Sequence, residues 1–190
     1  MTEDTRPATG PNPRDRVRSL LRVRQVREFT DQPLTADELE AITEVARWSG
    51  SSRNSQPWRF IVIQAPAILR EIAERGMPQT RSLRTARAAV AIVLPADPRH
   101  EIVDAYDDGR AAERILIAAS FLDLGGGIAW VRSDVREPIG ELLGLPADRM
   151  VRTLVALGHP SEAGRRPKSP PGQARQPREA LIFEERWPSG

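Results

Sequence analysis

The sequence predicts an α+β domain in which helices cover both faces of one central sheet, and three observations carry that expectation. At 190 residues with 39% hydrophobic content, the chain is long enough for one well-buried core and short for two. Ala88 to Leu94 is a continuous apolar run closed by Pro95, so both faces of that strand need cover. Segments with helical spacing also alternate with short β-branched runs, in the order helix, helix, strand, helix, strand, helix, strand, helix, strand and tail.

Residues 1–13 hold Pro7, Gly10, Pro11 and Pro13 among polar neighbours and read as a disordered arm, because they bury too little to offset their ordering entropy. Val17, Leu20 and Leu21 fall at helical spacing, predicting a first helix from about Arg14 to Arg22 or Arg24. An extended basic segment, Val23 to Asp31, follows. Thr35-Ala36-Asp37-Glu38 has the capping-box spacing, so a helix with inner residues Leu39, Ile42, Val45 and Ala46 starts there and breaks at Gly50. Phe60 to Ile63 reads as a short buried strand, and Pro66 opens a helix carrying Leu69, Ile72 and Ala73.

Between Arg75 and Ala88 the chain is polar and Arg-rich, which predicts a short helix or an irregular connection. Asp107 to Leu124 predicts the central helix, whose alanines allow close packing. Gly125-Gly126-Gly127 then stops it, either as a C-cap and turn or as part of a site, and Ile128 to Val131 forms a strand. Asp134 to Glu137 repeats the capping-box spacing and opens a helix through Leu142 and Leu143, ended by Gly144. Val151 to Leu157 is the last core strand. Beyond Gly158 the chain is rich in Pro and Arg until the apolar cluster Ala180 to Phe183 with Trp187, which should dock on something.

Composition narrows the function. There is no cysteine, which excludes disulfides, thiolate zinc sites and cysteine nucleophiles and makes a reducing cytoplasm the expectation. No basic leader or long apolar span is present, so no membrane association is expected. The pI of about 9.8 accompanies a net charge of only +2, because 28 basic residues, nearly all arginine, face 26 acidic ones. Acids and bases interleave and no basic block carries aromatics, which argues against nucleic acid as a partner. Gly125-Gly126-Gly127 follows a helix instead of a strand, so neither a dinucleotide fingerprint nor a Walker loop is supported.

The stretch with the most chemical content is Gly50 to Phe60, Gly-Ser-Ser-Arg-Asn-Ser-Gln-Pro-Trp-Arg-Phe. A loop of small hydroxyl and amide side chains opening a strand offers backbone N–H groups and short donors to a planar polar ligand. Its string Ser-x-x-Asn-x-Gln-Pro-Trp-x-Phe, from Ser51 to Phe60, resembles the signature loop of the FMN-dependent nitroreductase family. Three further segments resemble that family in the same order: Arg24 to Phe29, Asp108 to Glu113 leading to Gly127, and Leu157 to Pro160 followed by Arg175-Gln176-Pro177.

The resemblance implies a nitroreductase-like fold: a central mixed β-sheet flanked by helices, in a homodimer with an extended C-terminal arm. Residues 1–13 would be an N-terminal arm, 14–160 the FMN-binding domain, and 161–190 the arm docking on the partner subunit. FMN would be the cofactor and NADPH or NADH the reductant. Hydride would pass through flavin N5 to an electron-poor acceptor such as a nitroaromatic, quinone or activated alkene, in ping-pong fashion. The alternative is a specialised flavin protein of this fold, acting by flavin fragmentation or dehalogenation, or without turnover.

By the same resemblance, Arg24 and Gln25 lie along the phosphate, ribityl and pyrimidine side, Arg27 lies near N1 and O2 as an electrostatic stabiliser, and Arg175 meets the phosphate. Gly50, Ser51, Ser52 and Asn54 come from the other subunit, and Gly126 and Gly127 approach the ring edge. The flavin itself carries the chemistry, so no catalytic side chain is expected, nor any metal ligand. Val23 and Gln173 stand where the family usually has an arginine and a lysine, and Gly50 where it has a proline; two fewer cations imply weaker phosphate binding unless Arg22, Arg24 or Arg53 compensates.

The remaining candidates read more simply. His100 and His159 are the only histidines and read as solvated. Asp107-Asp108 reads as a helix N-cap in preference to a catalytic dyad. Trp58 reads as core, while Tyr106 and Trp130 are candidates for the border of a flavin-stacking pocket.

Overall fold

A computed structural model describes residues 12–170 and 172–187; apart from Asn12 and Pro13, the expected N-terminal arm lies outside the described residues. Four strands form one sheet in the order β1-β2-β4-β3: β1 (Arg59–Ile63), β2 (Ala88–Pro95), β3 (Gly125–Trp130) and β4 (Arg149–Gly158). All three pairings are antiparallel. Among the described residues the parallel component is one bridge between Gln25 and Gly126 at the outer edge of β3.

Period-two alternation of β2 builds the core. Ala88, Val90, Ile92 and Leu94 face a cluster with Ile42 and Ala46 of α2 (Ala36–Arg47) and Ile115 and Ala119 of α4 (Glu101–Phe121). Ala89 and Ala91 face the opposite cluster, with Leu69 and Ile72 of α3 (Pro66–Arg75) and Ile139 of α5 (Arg136–Leu142). Every residue of β2 from Ala88 to Leu94 is buried, as its unbroken apolar run predicts. Full burial of each large aliphatic side chain stabilises the fold by about 1.5–3 kcal/mol.

Local signals set several boundaries. The Thr35 hydroxyl accepts from Glu38 N–H at 3.2 Å, while the Glu38 carboxylate accepts from Thr35 N–H at 2.7 Å. Pro66 sits in the first turn of α3, where its missing N–H costs nothing.

Five expectations are corrected. The first helix is one turn, α1 (Pro13–Arg16), followed by a 3-10 turn at Leu20–Arg22; Val17, Leu20 and Leu21 are exposed, so the expected stripe has no core in this chain to hold it. β1 is a sheet edge with exposed Val62, not a buried strand. The central helix starts six residues early, at Glu101, so Asp107 and Asp108 are mid-helix and do not cap it. The three glycines begin β3 itself; α4 is terminated by Leu122 and by Asp123, which takes the left-handed conformation at φ 56°. At α5, Asp134 pairs with Arg132 at 2.8 Å instead of capping.

Past Pro160 the chain is not wholly apart from the domain. A short helix, α6 (Glu162–Arg165), is capped by Ser161, whose N–H donates to Glu28 O at 3.1 Å. Further on, Leu181, Ile182 and Trp187 are more than half exposed.

Candidate functional site

The basic segment 24–29 is positioned by the edge of the sheet. Val26 N–H donates to Gly126 O at 2.7 Å and Thr30 N–H to His159 O at 2.8 Å, so the segment spans the adjoining ends of β3 and β4. Extended backbone alternates side chains over Gln25, Val26 and Arg27: Val26 enters the core while Gln25 and Arg27 line a cavity. Phe29, three residues on from Val26, is also buried, so the alternation does not continue to it. A Cβ at Gly127 would collide with the Val26 carbonyl oxygen, and one at Gly126 would sit 2.7 Å from Leu116 Cδ2. Glycine at both positions is what lets the segment and α4 come this close to β3.

Gln25 Oε1 accepts from Ile128 N–H at 3.3 Å and from Arg27 Nη2 at 3.0 Å. Both residues line a cavity of about 570 Å³ together with Pro78, Gln79, Arg81, Ile128, Trp130 and Lys168. Among the described residues three cations line it and no carboxylate does, so its electrostatics favour an anion. Partly exposed Trp130 adds a ring surface beside them.

The signature loop lies elsewhere. Ser52 N–H donates to both carboxylate oxygens of Asp107, at 3.0 and 3.3 Å, and Gln56 N–H donates to Ser51 Oγ at 2.9 Å. Arg53, Asn54 and Gln56 all take positive φ, at 51°, 55° and 48°, a conformation non-glycine residues hold only when surroundings impose it. Gly50 packs so closely on the Arg110 guanidinium that a Cβ would displace it. Ser52 and Arg53 border a second cavity, of about 650 Å³, that shares no residue with the first.

Asp107 and Asp108 thus have other work than capping. Asp107 holds the signature loop and lies 3.4 Å from Arg110. Asp108 is buried, accepts from Thr153 Oγ1 at 2.6 Å, and leaves its other oxygen without a hydrogen-bond partner. Burial pushes its carboxyl up to about 6, opposed by the Thr153 hydrogen bond and the nearby Arg152 and Arg136. Among the described residues no group of three or more His, Asp or Glu is placed to hold a metal ion, and no helix is long and apolar enough to cross a membrane.

The model of the nitroreductase family matches residues 21–159, which include the basic segment, the loop and β3. The chain belongs to the nitroreductase family. An FMN reductase [NAD(P)H] of Bacillus subtilis is 30% identical over 190 residues, covering 90% of this chain and 74% of that protein. An NADH dehydrogenase of Thermus thermophilus is 26% identical, covering 79% of this chain and 89% of its own. The solved structure of an NADPH:FMN oxidoreductase from Vibrio harveyi, complexed with NAD+, superposes with a TM-score of 0.75 at 22% identity, covering 91% of this chain and 78% of that one; this likeness speaks for the fold alone.

Within this nitroreductase-family chain, the structure brings Gln25, Arg27, Gly126 and Gly127 to one place and Gly50, Ser51, Ser52 and Asn54 to another. Arg24 does not line the cavity; its guanidinium donates to the carbonyls of Arg165 at 2.7 Å and Arg166 at 3.5 Å. Arg175 is exposed and donates to the adjacent Ala174 carbonyl. Trp58 is core, as expected, and Tyr106 is exposed. Gln79, Arg81 and Lys168 were not singled out by the sequence; Lys168, the only lysine, carried the one available signal.

Proposed function

We propose that the protein is an FMN-dependent oxidoreductase that moves hydride from NADPH or NADH to an electron-poor acceptor, a nitroaromatic, quinone or activated alkene, in two half-reactions. The observation that carries this reading is the cationic cavity beside a glycine-built sheet edge. FMN is planar and anionic, and about 570 Å³ is within the range of small-molecule sites. The absence of a lining carboxylate among the described residues and the amide groups of Gln25 and Gln79 suit such a group.

FMN, when bound, supplies hydride chemistry at ring N5, with the net gain of one negative charge on reduction. The chain supplies orientation and electrostatics. Gln25 and Arg27, fixed to each other and to Ile128, would hold the polar ring edge, with Arg27 contributing a full positive charge that is worth most where charge develops. Gly50, Ser51, Ser52 and Asn54 form a second donor set, pinned by Asp107, and Arg175 is a phosphate partner carried by the tail.

Gln25 and Arg27 line one cavity and Ser52 lines another that shares no residue with it, which supports a homodimer in which each loop completes the partner subunit's site. The exposed apolar residues at 17–21 and 181–187 support the same arrangement, with 161–190 as a docking arm. A single observation favours the alternative of flavin binding without turnover: Arg24 is committed to main-chain carbonyls and Val23 carries no charge, so the phosphate side is poor in cations.

A visible spectrum of the purified protein, before and after anaerobic addition of NADPH or NADH, tests the reading. Flavin bands that bleach support the oxidoreductase, bands that persist support the alternative, and a spectrum without flavin after incubation with FMN rejects both.

A further inference from the structure

The cavity holds one cation that reaches it by an unusual route. Lys168 lies in the segment after α6, more than 140 residues from Arg27 in sequence, yet both line the same cavity. The path that brings it there is built from named contacts. Ser161 N–H donates to Glu28 O at 3.1 Å. Gly164 packs so tightly on that same carbonyl that a Cβ would collide with it. Arg24 then grips the Arg165 carbonyl at 2.7 Å, so residues 161–166 lie along the basic segment and deliver Lys168 to its cavity.

Resting on the flavin reading above, we propose that Lys168 is a cavity cation that stabilises the negative charge gained on flavin reduction, and that Arg24 is the positioning residue that keeps it there. The charge balance sets the expectation. Hydride brings two electrons and one proton from the reduced nicotinamide, which leaves oxidised, so the cavity contents become more negative by one unit. A cation lining the cavity therefore favours the reduced form over the oxidised one. Among the described residues no carboxylate lines the cavity to offset it, so the charge of Lys168 adds to those of Arg27 and Arg81. The linker thus contributes electrostatics as well as reach.

The test compares full-length wild type, Lys168→Gln, Lys168→Arg and Arg24→Gln, with Arg70→Gln on the outer surface of α3 as a control. Each is saturated with FMN, and the two-electron midpoint potential is measured anaerobically alongside the dissociation constant of oxidised FMN. The expected result is a roughly tenfold loss of preference for reduced FMN in Lys168→Gln, which is a potential about 30 mV more negative. Lys168→Arg should restore most of it, Arg24→Gln should shift in the same direction as Lys168→Gln, and Arg70→Gln should match wild type. A Lys168→Gln protein that is saturated with FMN and has the wild-type potential overturns the proposal while leaving the flavin reading intact. A wild-type protein that takes up no FMN overturns both.

Discussion

Arg27 donates a hydrogen bond from Nη2 to the side-chain oxygen of Gln25 at 3.0 Å, across the buried Val26 between them. The same oxygen accepts from Ile128 N–H at 3.3 Å, so the guanidinium is tied through Gln25 to the edge strand β3. A charge held this way needs no reorganisation when an anion forms beside it.

Arg27→Ala should accordingly leave the fold intact, because Arg27 is not part of the core, and slow flavin reduction about a hundredfold, equivalent to about 3 kcal/mol. Arg27→Lys should recover part of the rate, since it keeps the charge and loses the planar fork. Stopped-flow reduction at saturating nicotinamide checks this. An unchanged rate with full flavin occupancy would remove Arg27 from the site.

Gly127→Ala addresses the backbone beneath that site. The added methyl meets the Val26 carbonyl, a backbone atom that gives way only if the Gln25–Gly126 bridge opens. A cost of about 3 kcal/mol is expected, lowering the thermal midpoint by roughly 6–12 °C for a chain of this size. Calorimetry with and without FMN measures it; a midpoint within a degree of wild type would mean the close approach is dispensable.

The fold was legible in the sequence where signals were local. The capping box at Thr35–Glu38 and the unbroken run at Ala88–Leu94 each state their own physics within a few residues. The beginning of α4 was misplaced because Asp107-Asp108 looks like a cap, whereas the turn that precedes the helix is made by Asp97, which accepts from Arg99 N–H at 3.0 Å. The glycines of β3 imitate a turn because the sequence does not display the Val26 carbonyl they make room for. Gln25 and Arg27 stood out through their motif. Arg81 and Lys168 carry none, since only tertiary packing places them beside Arg27.

Asp108 gives a pH prediction with a definite sign. Its folded-state value, about 6, lies above the ordinary 3.8, so between those values the folded protein holds a proton that the unfolded chain has lost. The group's contribution to stability is therefore full at low pH and declines as pH rises from about 4 through 6. Asp108→Asn stays neutral throughout. Relative to wild type, its unfolding free energy should improve by about 2 kcal/mol between pH 4 and pH 7.5. Urea unfolding of both proteins at the two pH values checks this, and a difference that does not vary with pH would exclude ionisation of Asp108 as its source.

The last prediction concerns the tail. Leu181, Ile182 and Trp187 are 56%, 53% and 81% exposed in the single chain, and the Phe183 and Trp187 rings pack on each other with centroids 4.8 Å apart. Residues that could gain about 1.5–3 kcal/mol each by burial are thus gathered into one cluster that the chain's own core does not cover. In the proposed homodimer that cluster docks on the partner subunit, whereas Lys168 and Arg175 lie upstream of it. A chain ending at Pro177 keeps Lys168 and Arg175 and loses residues 178–190, the cluster included, so it separates docking from those two cations. Its dimer dissociation constant should rise by at least a hundredfold, read by analytical ultracentrifugation across a range of concentrations. Flavin affinity should fall with it and recover at protein concentrations high enough to restore the dimer, because a site completed by two chains follows mass action. If the shortened chain remains a dimer at low micromolar concentration, the arm is not the clasp, and the apolar residues at 17–21 become the surface to test next.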